Sequence, residues 1–256
     1  MTADQPGRVV VVTGGSRGLG REMCRSFAAD GHRVVVASRK AEACEKLAAE
    51  LRSEFGPTTG AEAVGVACHV GRWQDCDALI DRVLAEYGRI DVLINNAGMS
   101  PLYPSLGEIS EELFDKVFGV NLKGPFRLAV RAGEAMQAGD GGQIVNVSSI
   151  AAVVPAVGEL PYAAAKSALN TITLGLARAF GPTVRVNAVM PGMFRTDISL
   201  AWDEEMLEHG SADAALKRIG EPHEIVGAIR YLTGEGSSFT TGSILKVDGG
   251  MAWSPA

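Results

Sequence analysis

No apolar run in this chain approaches the ~18 residues that a membrane-crossing helix needs. Its first residues, Met1 to Gly7, have neither the basic start nor the apolar core of a secretory signal. A basic excess is also missing: 24 Lys and Arg against 30 Asp and Glu give a net charge of −6. That argues against a surface tracking nucleic-acid phosphates, which calls for a basic stripe. Cysteine is scarce, and Cys24, Cys44, Cys68 and Cys76 form no C-x-x-C pair and no zinc or disulfide spacing. Reduced thiols in a cytoplasmic protein, with no metal site, are expected. There is no linker rich in Pro, Gly and Ser, no internal repeat and no low-complexity tract. With 46 % hydrophobic and 21 % charged residues over 256 positions, residues 1–256 read as one globular domain.

Short β-branched runs alternate with longer amphipathic segments. Strands are expected at Arg8–Val12, Arg33–Ala37, Ala63–Ala67, Ile90–Ile94, Gln143–Val147, Val184–Val189 and Ser243–Val247. Helices are expected near Leu19–Asp30, Glu42–Phe55, Trp73–Tyr87, Glu111–Val120, Leu122–Gln137, Pro161–Phe180 and Pro222–Leu232. Near-continuous apolar strands between helices imply an α/β fold: a doubly wound, Rossmann-type parallel sheet of about seven strands covered on both faces. The long polar stretch at about 195–220 is expected to be a substrate lid.

The first strand runs into Thr13-Gly14-Gly15-Ser16-Arg17-Gly18-Leu19-Gly20, which opens the first helix. Glycines there permit a tight turn and close backbone approach, and the helix N-terminus favours a pyrophosphate. An acid that would hold the free ribose hydroxyls of NAD is absent at the end of the second strand. Ser38 and Arg39 stand there instead, with Arg17 in the facing turn. Cations and a hydroxyl suit a 2′-phosphate, so NADP(H) is the expected cofactor.

Tyr162 and Lys166 lie four residues apart in Y-A-A-A-K, and Ser149 precedes the tyrosine. Residues with that spacing share a helix face. A lysine beside the phenol is expected to lower its pKa from ~10, so that it can trade a proton with a substrate oxygen.

Taken in order, the motifs resemble those of the short-chain dehydrogenase/reductase family over essentially the whole chain. They are T-G-G-S-R-G-L-G at Thr13–Gly20, N-N-A-G at Asn95–Gly98, V-N-L-K-G around Asn121, and N-V-S-S at Asn146–Ser149. Y-A-A-A-K at Tyr162–Lys166, P-G-M-F-R-T at Pro191–Thr196 and V-D-G-G at Val247–Gly250 complete the set. The resemblance implies a catalytic set of Asn121, Ser149, Tyr162 and Lys166. Tyr162 would be the general acid in ketone reduction, Lys166 would tune it and hold the nicotinamide ribose, Ser149 would bond the substrate oxygen, and Asn121 would anchor a water. Cofactor residues implied in the same way are Gly14, Ser16, Arg17, Gly18, Leu19, Gly20, Ser38, Arg39, Asn95, Ala97, Gly98, Pro191, Gly192 and Thr196, together with Tyr162 and Lys166. After strand three the family usually has an aspartate that accepts from the adenine amino group; here the pair is His69-Val70. A neutral imidazole can still accept through one nitrogen, and Val70 backbone groups could hold the base instead.

These readings point to an NADPH-dependent carbonyl reductase. Substrate contacts are expected from Met99–Tyr103, Ile150–Leu160 and Phe194–Leu207, including Phe194, Ile198, Trp202, Met206 and Leu207, which make a mostly apolar pocket for a small ketone or secondary alcohol. Reduction of a 3-oxoacyl-acyl-carrier protein is the alternative. Ala138–Gly142 and Phe180–Thr183 contribute one acid and no base for docking an acidic carrier. A sugar or polyol dehydrogenase is a third enzyme reading. The complete catalytic set weighs against a non-catalytic cofactor-binding regulator. The resemblance also implies a homotetramer built on the helices carrying Leu128, Val130, Leu169 and Ile172 and on the segment Gly242–Trp253.

Overall fold

Val9, Val10, Val11 and Val12 make up most of strand β1 (Val9–Thr13). In this computed structural model, which describes residues 7–196 and 211–252, their side chains alternate between two cores. Val9 and Val11 join one and Val10 and Val12 the other, as successive residues of a strand must. β-Branched side chains suit such a surface buried on both sides. The remaining strands are β2 (Arg33–Ser38), β3 (Glu62–Ala67), β4 (Val92–Asn95), β5 (Gly142–Val147), β6 (Val184–Pro191) and β7 (Ile244–Val247). They form one seven-stranded sheet in the order β3-β2-β1-β4-β5-β6-β7. Every neighbouring pair is parallel, with Val10 opposite Val34 and Val92, and Ile94 opposite Val145.

Helices cover both faces. Met23 and Phe27 of α1 (Gly18–Ala29), Leu47 and Leu51 of α2 (Ala41–Thr59) and Ile229 further on fill one core. Leu79 and Ile80 of α3 (Trp73–Tyr87) fill the other, with α4 (Glu111–Phe118) leading to α5 (Gly124–Ala138) and α6 (Leu160–Phe180), which add Leu128, Met136, Leu176 and Phe180. Helix α7 (Val226–Thr233) carries Ile229. All four cysteines are buried free thiols. No helix among the described residues is long and apolar enough to cross a membrane.

Strand β4 starts at Val92 rather than Ile90, the expected Pro222–Leu232 helix opens as a 3₁₀ turn over Pro222–Ile225, and two further elements depart more clearly. Helix α2 runs to Thr59, past Pro57, and stops at Gly60 in the left-handed conformation (φ 73°), a usual helix terminator. The expected break near Asn121 is instead a π-helical turn, Gly119–Lys123, that joins α4 to α5. Pro125 has no N–H, so it cannot donate to the Asn121 carbonyl four residues back. Gly124 is packed so closely that a Cβ there would lie 2.1 Å from the Val70 carbonyl oxygen.

A buried polar chain ties β4, β5 and α6 together. The Asn95 amide donates to Asn146 Oδ1 (3.0 Å), the Asn146 amide to Thr173 Oγ1 (2.9 Å), and Thr173 to the Leu169 carbonyl (2.9 Å). Asn146→Ala would leave the Asn95 amide without this acceptor and Thr173 without this donor. It is expected to cost about 1–3 kcal/mol of stability, read as a lower denaturant midpoint with unchanged slope. A stability equal to that of the parent would show that the chain is not a structural tie.

Candidate active site

The strand order reverses direction between β1 and β4, and open parallel sheets bind ligands at that point, outside the carboxyl ends of the strands. The candidate residues collect there. A cavity of about 250 Å³ near Ile90, Asp91 and Gly141 lies at the opposite end of β4 and β5, away from all of them.

The turn after β1 is shaped by what cannot fit. Gly14 has φ 62°, and a Cβ on Gly20 would stand 2.3 Å from the Gly14 carbonyl oxygen. Helix α1 follows with Arg17 as an extended N-cap, no side-chain cap and no acid in its first turn. Its first N–H groups and positive helix end are therefore suited to a phosphate. Ser16, Leu19 and Gly18 belong to the same turn, and the Thr196 side chain stands over it, 3.5 Å from where a Gly18 Cβ would be. A nicotinamide dinucleotide fits this cradle by the closeness of its backbone and the sign of its helix end.

Asn96, which sequence reasoning passed over, braces the turn. Its amide donates to the Thr13 and Gly14 carbonyls (2.9 and 3.2 Å), and Thr13 Oγ1 accepts the N–H groups of Asn96 and Ala97 (3.0 and 3.1 Å). Asn95, expected to line the cleft, is 1 % exposed and turned into the core, where its amide also reaches the Pro125 carbonyl. Consecutive residues at a strand end point opposite ways, so the paired asparagines of N-N-A-G carried a readable signal that only one could face the cleft.

At the end of β2, Ser38 is half-buried and Arg39 exposed. Arg39 makes no ion pair among the described residues. Arg17 is exposed across from it. Past β3, His69 Nδ1 accepts the Gly71 N–H at 3.2 Å. In the neutral ring Nε2 then carries the proton, so His69 keeps no acceptor for an adenine amino group. Val70 is buried and its carbonyl accepts the Cys76 thiol at 3.2 Å, which leaves its N–H as the group able to meet a base.

Ser149 follows β5, Tyr162 and Lys166 share the first turns of α6, and their side chains converge. The Ser149 hydroxyl stands close enough to the Tyr162 phenol to favour its ionised form. Lys166 is 2 % exposed. Its Nζ donates to the Val147 carbonyl at 2.7 Å and lies 5.6 Å from the Tyr162 ring centroid. A Cβ on Gly98 would lie 3.6 Å from this Nζ, so the glycine leaves room for it. The expected lowering of the tyrosine pKa by the lysine is not found. Burial pushes the Tyr162 phenol up to about 12, with Ser149 lowering it and the Glu159 charge raising it further. Burial also brings the Lys166 ammonium down to about 8. The physical reason is placement: Lys166 is buried and Tyr162 partly so, and the ammonium is held by a carbonyl, over the ring. Asn121 is fully buried and its side chain is committed. Its Oδ1 accepts the Met99 N–H (3.1 Å), and its amide donates to the Met99 and Val117 carbonyls (2.8 and 2.9 Å).

Beyond β6, the Gly192 N–H donates to the Val247 carbonyl, and a Cβ on Gly192 would meet Asp248 at 2.8 Å. Pro191 ends β6 itself. Phe194, expected to face substrate, is 6 % exposed and packs in the core against Gly220. Hydrogen bonds are seen at both ends of the segment 195–220, which was expected to form a lid. Arg195 N–H bonds the Gly220 carbonyl, Gly220 N–H the Met193 carbonyl, and Leu216 N–H the Gly249 carbonyl, so its ends are clasped. Ile198, Trp202, Met206 and Leu207 lie outside the described residues, as does the middle of the segment.

Comparison with known proteins agrees with this geometry. A family model described as enoyl-(acyl carrier protein) reductase matches residues 14–252. The human dehydrogenase/reductase SDR family member 4 is 35 % identical over 246 residues, covering 95 % of this chain and 87 % of that protein. Among solved structures, the NADPH-dependent 3-quinuclidinone reductase of Rhodotorula rubra is 28 % identical with a TM-score of 0.90, over 97 % of this chain and 92 % of that one. The L-sorbose reductase of Gluconobacter frateurii, in complex with NADPH and L-sorbose, is 28 % identical with a TM-score of 0.91 over 100 % of both chains. The chain belongs to the short-chain dehydrogenase/reductase family. It is an oxidoreductase of that family, which works with a nicotinamide cofactor.

Proposed function

We propose that the protein is an NADP(H)-dependent carbonyl reductase acting on a small, mostly apolar ketone or secondary alcohol, with Asn121, Ser149, Tyr162 and Lys166 as its working set. The observation that carries this is the convergence of Ser149 on the Tyr162 phenol with Lys166 against the ring, at the carboxyl edge of the sheet beside the glycine turn. NADPH, when bound, supplies the hydride. Tyr162, protonated at neutral pH because its pKa is about 12, gives a proton to the developing alkoxide. Ser149 holds that oxygen as a small oxyanion donor. Lys166 holds the nicotinamide ribose and returns a proton to the phenolate. Asn121 acts through its main-chain carbonyl, deprived of an α-helical donor by Pro125, which is the group left to anchor a water. The two NADPH-using structural relatives support the cofactor assignment. The description of the matching family model favours acyl-carrier-protein chemistry as a second reading. A panel of small ketones, sugars and 3-oxoacyl thioesters with NADPH and NADH separates them; turnover confined to thioesters would overturn the first reading.

Lys166 gives a pH signature. Its cation persists below pH about 8 and is lost above it. kcat/KM for the cofactor reports groups of the free enzyme. It should be level through neutral pH and fall up to tenfold per unit above pH about 8, and Lys166→Met should abolish that inflection. A profile level to pH 10 in the parent would remove Lys166 from cofactor capture.

We further propose a homotetramer with closed symmetry. Of the apolar residues expected at its interfaces, Leu128 and Leu169 are fully buried within the chain, while Val130 and Ile172 are partly buried against the core. Phe126 on α5 and Leu160 and Leu174 on α6 are the large apolar side chains those helices leave exposed. Light scattering should return four times the chain mass, and Leu174→Asp should lower it. A stable monomer at micromolar concentration would count against the assembly.

A further inference from the structure

Glu159 is an ionisable group next to the chemistry that the reaction itself does not use. It shares a small cleft with the Tyr162 side chain, and the rest of that cleft is built from Pro101, Tyr103, Leu113, Val117 and Pro161. Glu159 immediately precedes α6, but its side chain caps no helical N–H, so stabilising the helix end does not account for it. The carboxylate is half-buried, with Ser100 near enough to favour its charged form. It forms no ion pair among the described residues, and every lysine and arginine of the chain lies within them. Burial accordingly pushes its carboxyl above the usual range, as it does for a carboxylate without a counter-charge. Its charge reaches Tyr162, where it opposes ionisation of the phenol.

The backbone around it is fixed from across the cleft. The Tyr103 hydroxyl donates to the Val157 carbonyl and accepts the Leu160 N–H at 2.9 Å. Both contacts flank Glu159, so the carboxylate is presented from a braced turn.

We propose that Glu159 is a specificity-determining residue that selects ketones bearing a cationic amine, the cation resting against its carboxylate while the carbonyl meets Tyr162. The proposal rests on the carbonyl-reductase reading above and names the substrate class of that same cleft. An uncharged apolar group seated there would strip the remaining water from a carboxylate and leave it uncompensated, which is costly. A hydroxyl would offer only what Ser100 already provides, and an anion would be repelled. A cation restores a counter-charge from the rim of this cleft, whose interior between Pro101, Tyr103 and Leu113 leaves no water-sized space.

The test uses two ketones of one shape that differ in charge: 1,1-dimethyl-4-oxopiperidinium, a permanent cation, and 4,4-dimethylcyclohexanone. The intact enzyme should show a kcat/KM at least ~10-fold higher for the cation, the effect of one close charge pair near a protein surface. Glu159→Gln keeps the shape and the capacity to bond Ser100, and should lower that ratio by ~10-fold or more. Should this variant not fold, the ratio of the parent enzyme and its decline on raising salt from 0.05 to about 0.5 M decide the matter, since only the charged ketone is screened. A parent enzyme that prefers the neutral ketone, or a ratio untouched by Glu159→Gln, would overturn the proposal while leaving the reductase reading intact. Reduction of neither ketone with either cofactor would overturn both.

Discussion

Tyr162→Phe should lower turnover at least ~100-fold and leave cofactor affinity close to that of the parent. The substitution removes one oxygen and keeps the ring, so the wall formed with Pro161, Leu113 and Val117 stays filled. Lys166 does not depend on the lost hydroxyl for its position, because its Nζ is held by the Val147 carbonyl at 2.7 Å. Ser149 keeps its own local bond, accepting the Ala151 N–H at 3.2 Å. What disappears is the proton that must reach the alkoxide as hydride arrives, and general acid catalysis is worth typically 10²–10⁴-fold. Turnover is read from the loss of reduced-nicotinamide absorbance, and affinity from cofactor fluorescence. Near-normal turnover would mean another group delivers the proton. An equal loss of affinity would mean the change had disturbed the cradle.

NADPH should be preferred to NADH by about tenfold to a hundredfold, with Arg39→Ala removing most of the preference. Arg39 is exposed at the carboxyl end of β2, where an acid would repel a 2′-phosphate, and it makes no ion pair among the described residues that a phosphate would have to break. A charge-assisted hydrogen bond to one arginine contributes roughly 1.5–3 kcal/mol, and salt pulls that toward the lower end at an exposed rim. The discriminating quantity is the ratio of kcat/KM for the two cofactors in parent and variant. The chemical step should change little, since Arg39 stands on the far side of the glycine turn from Tyr162. A parent preference for NADH, or equal losses for both cofactors, would leave Arg39 as surface charge only.

The strand–helix alternation, the glycine turn and the Tyr162–Lys166 spacing were all legible in the linear chain because each is local. A valine run can be only a strand buried on both faces. A turn in which Gly14 has a positive φ and Gly20 touches the Gly14 carbonyl must be written in glycine. Four residues of helix bring two side chains to one face whatever surrounds them. Order along the chain then decided the sheet, since parallel strands need crossovers and crossovers follow a hand.

Tertiary structure decided which way the same residues point and how wet they are. Asn95 and Asn96 are equivalent in sequence; β5, 51 residues later, and Pro125 of α5 claim the first, and the β1 turn claims the second. Phe194 read as pocket until Gly220 gave it a slot in the core. The Asn121 amide was spent on Met99 by a π-helical turn that only the joining of α4 to α5 creates. Spacing put Lys166 beside Tyr162, but only three-dimensional burial set the sign of the tyrosine shift, because a pKa depends on the water lost from every side. Glu159 was invisible as a special residue for the same reason: a glutamate becomes informative only when its place beside Tyr162 and its lack of an ion pair among the described residues are seen.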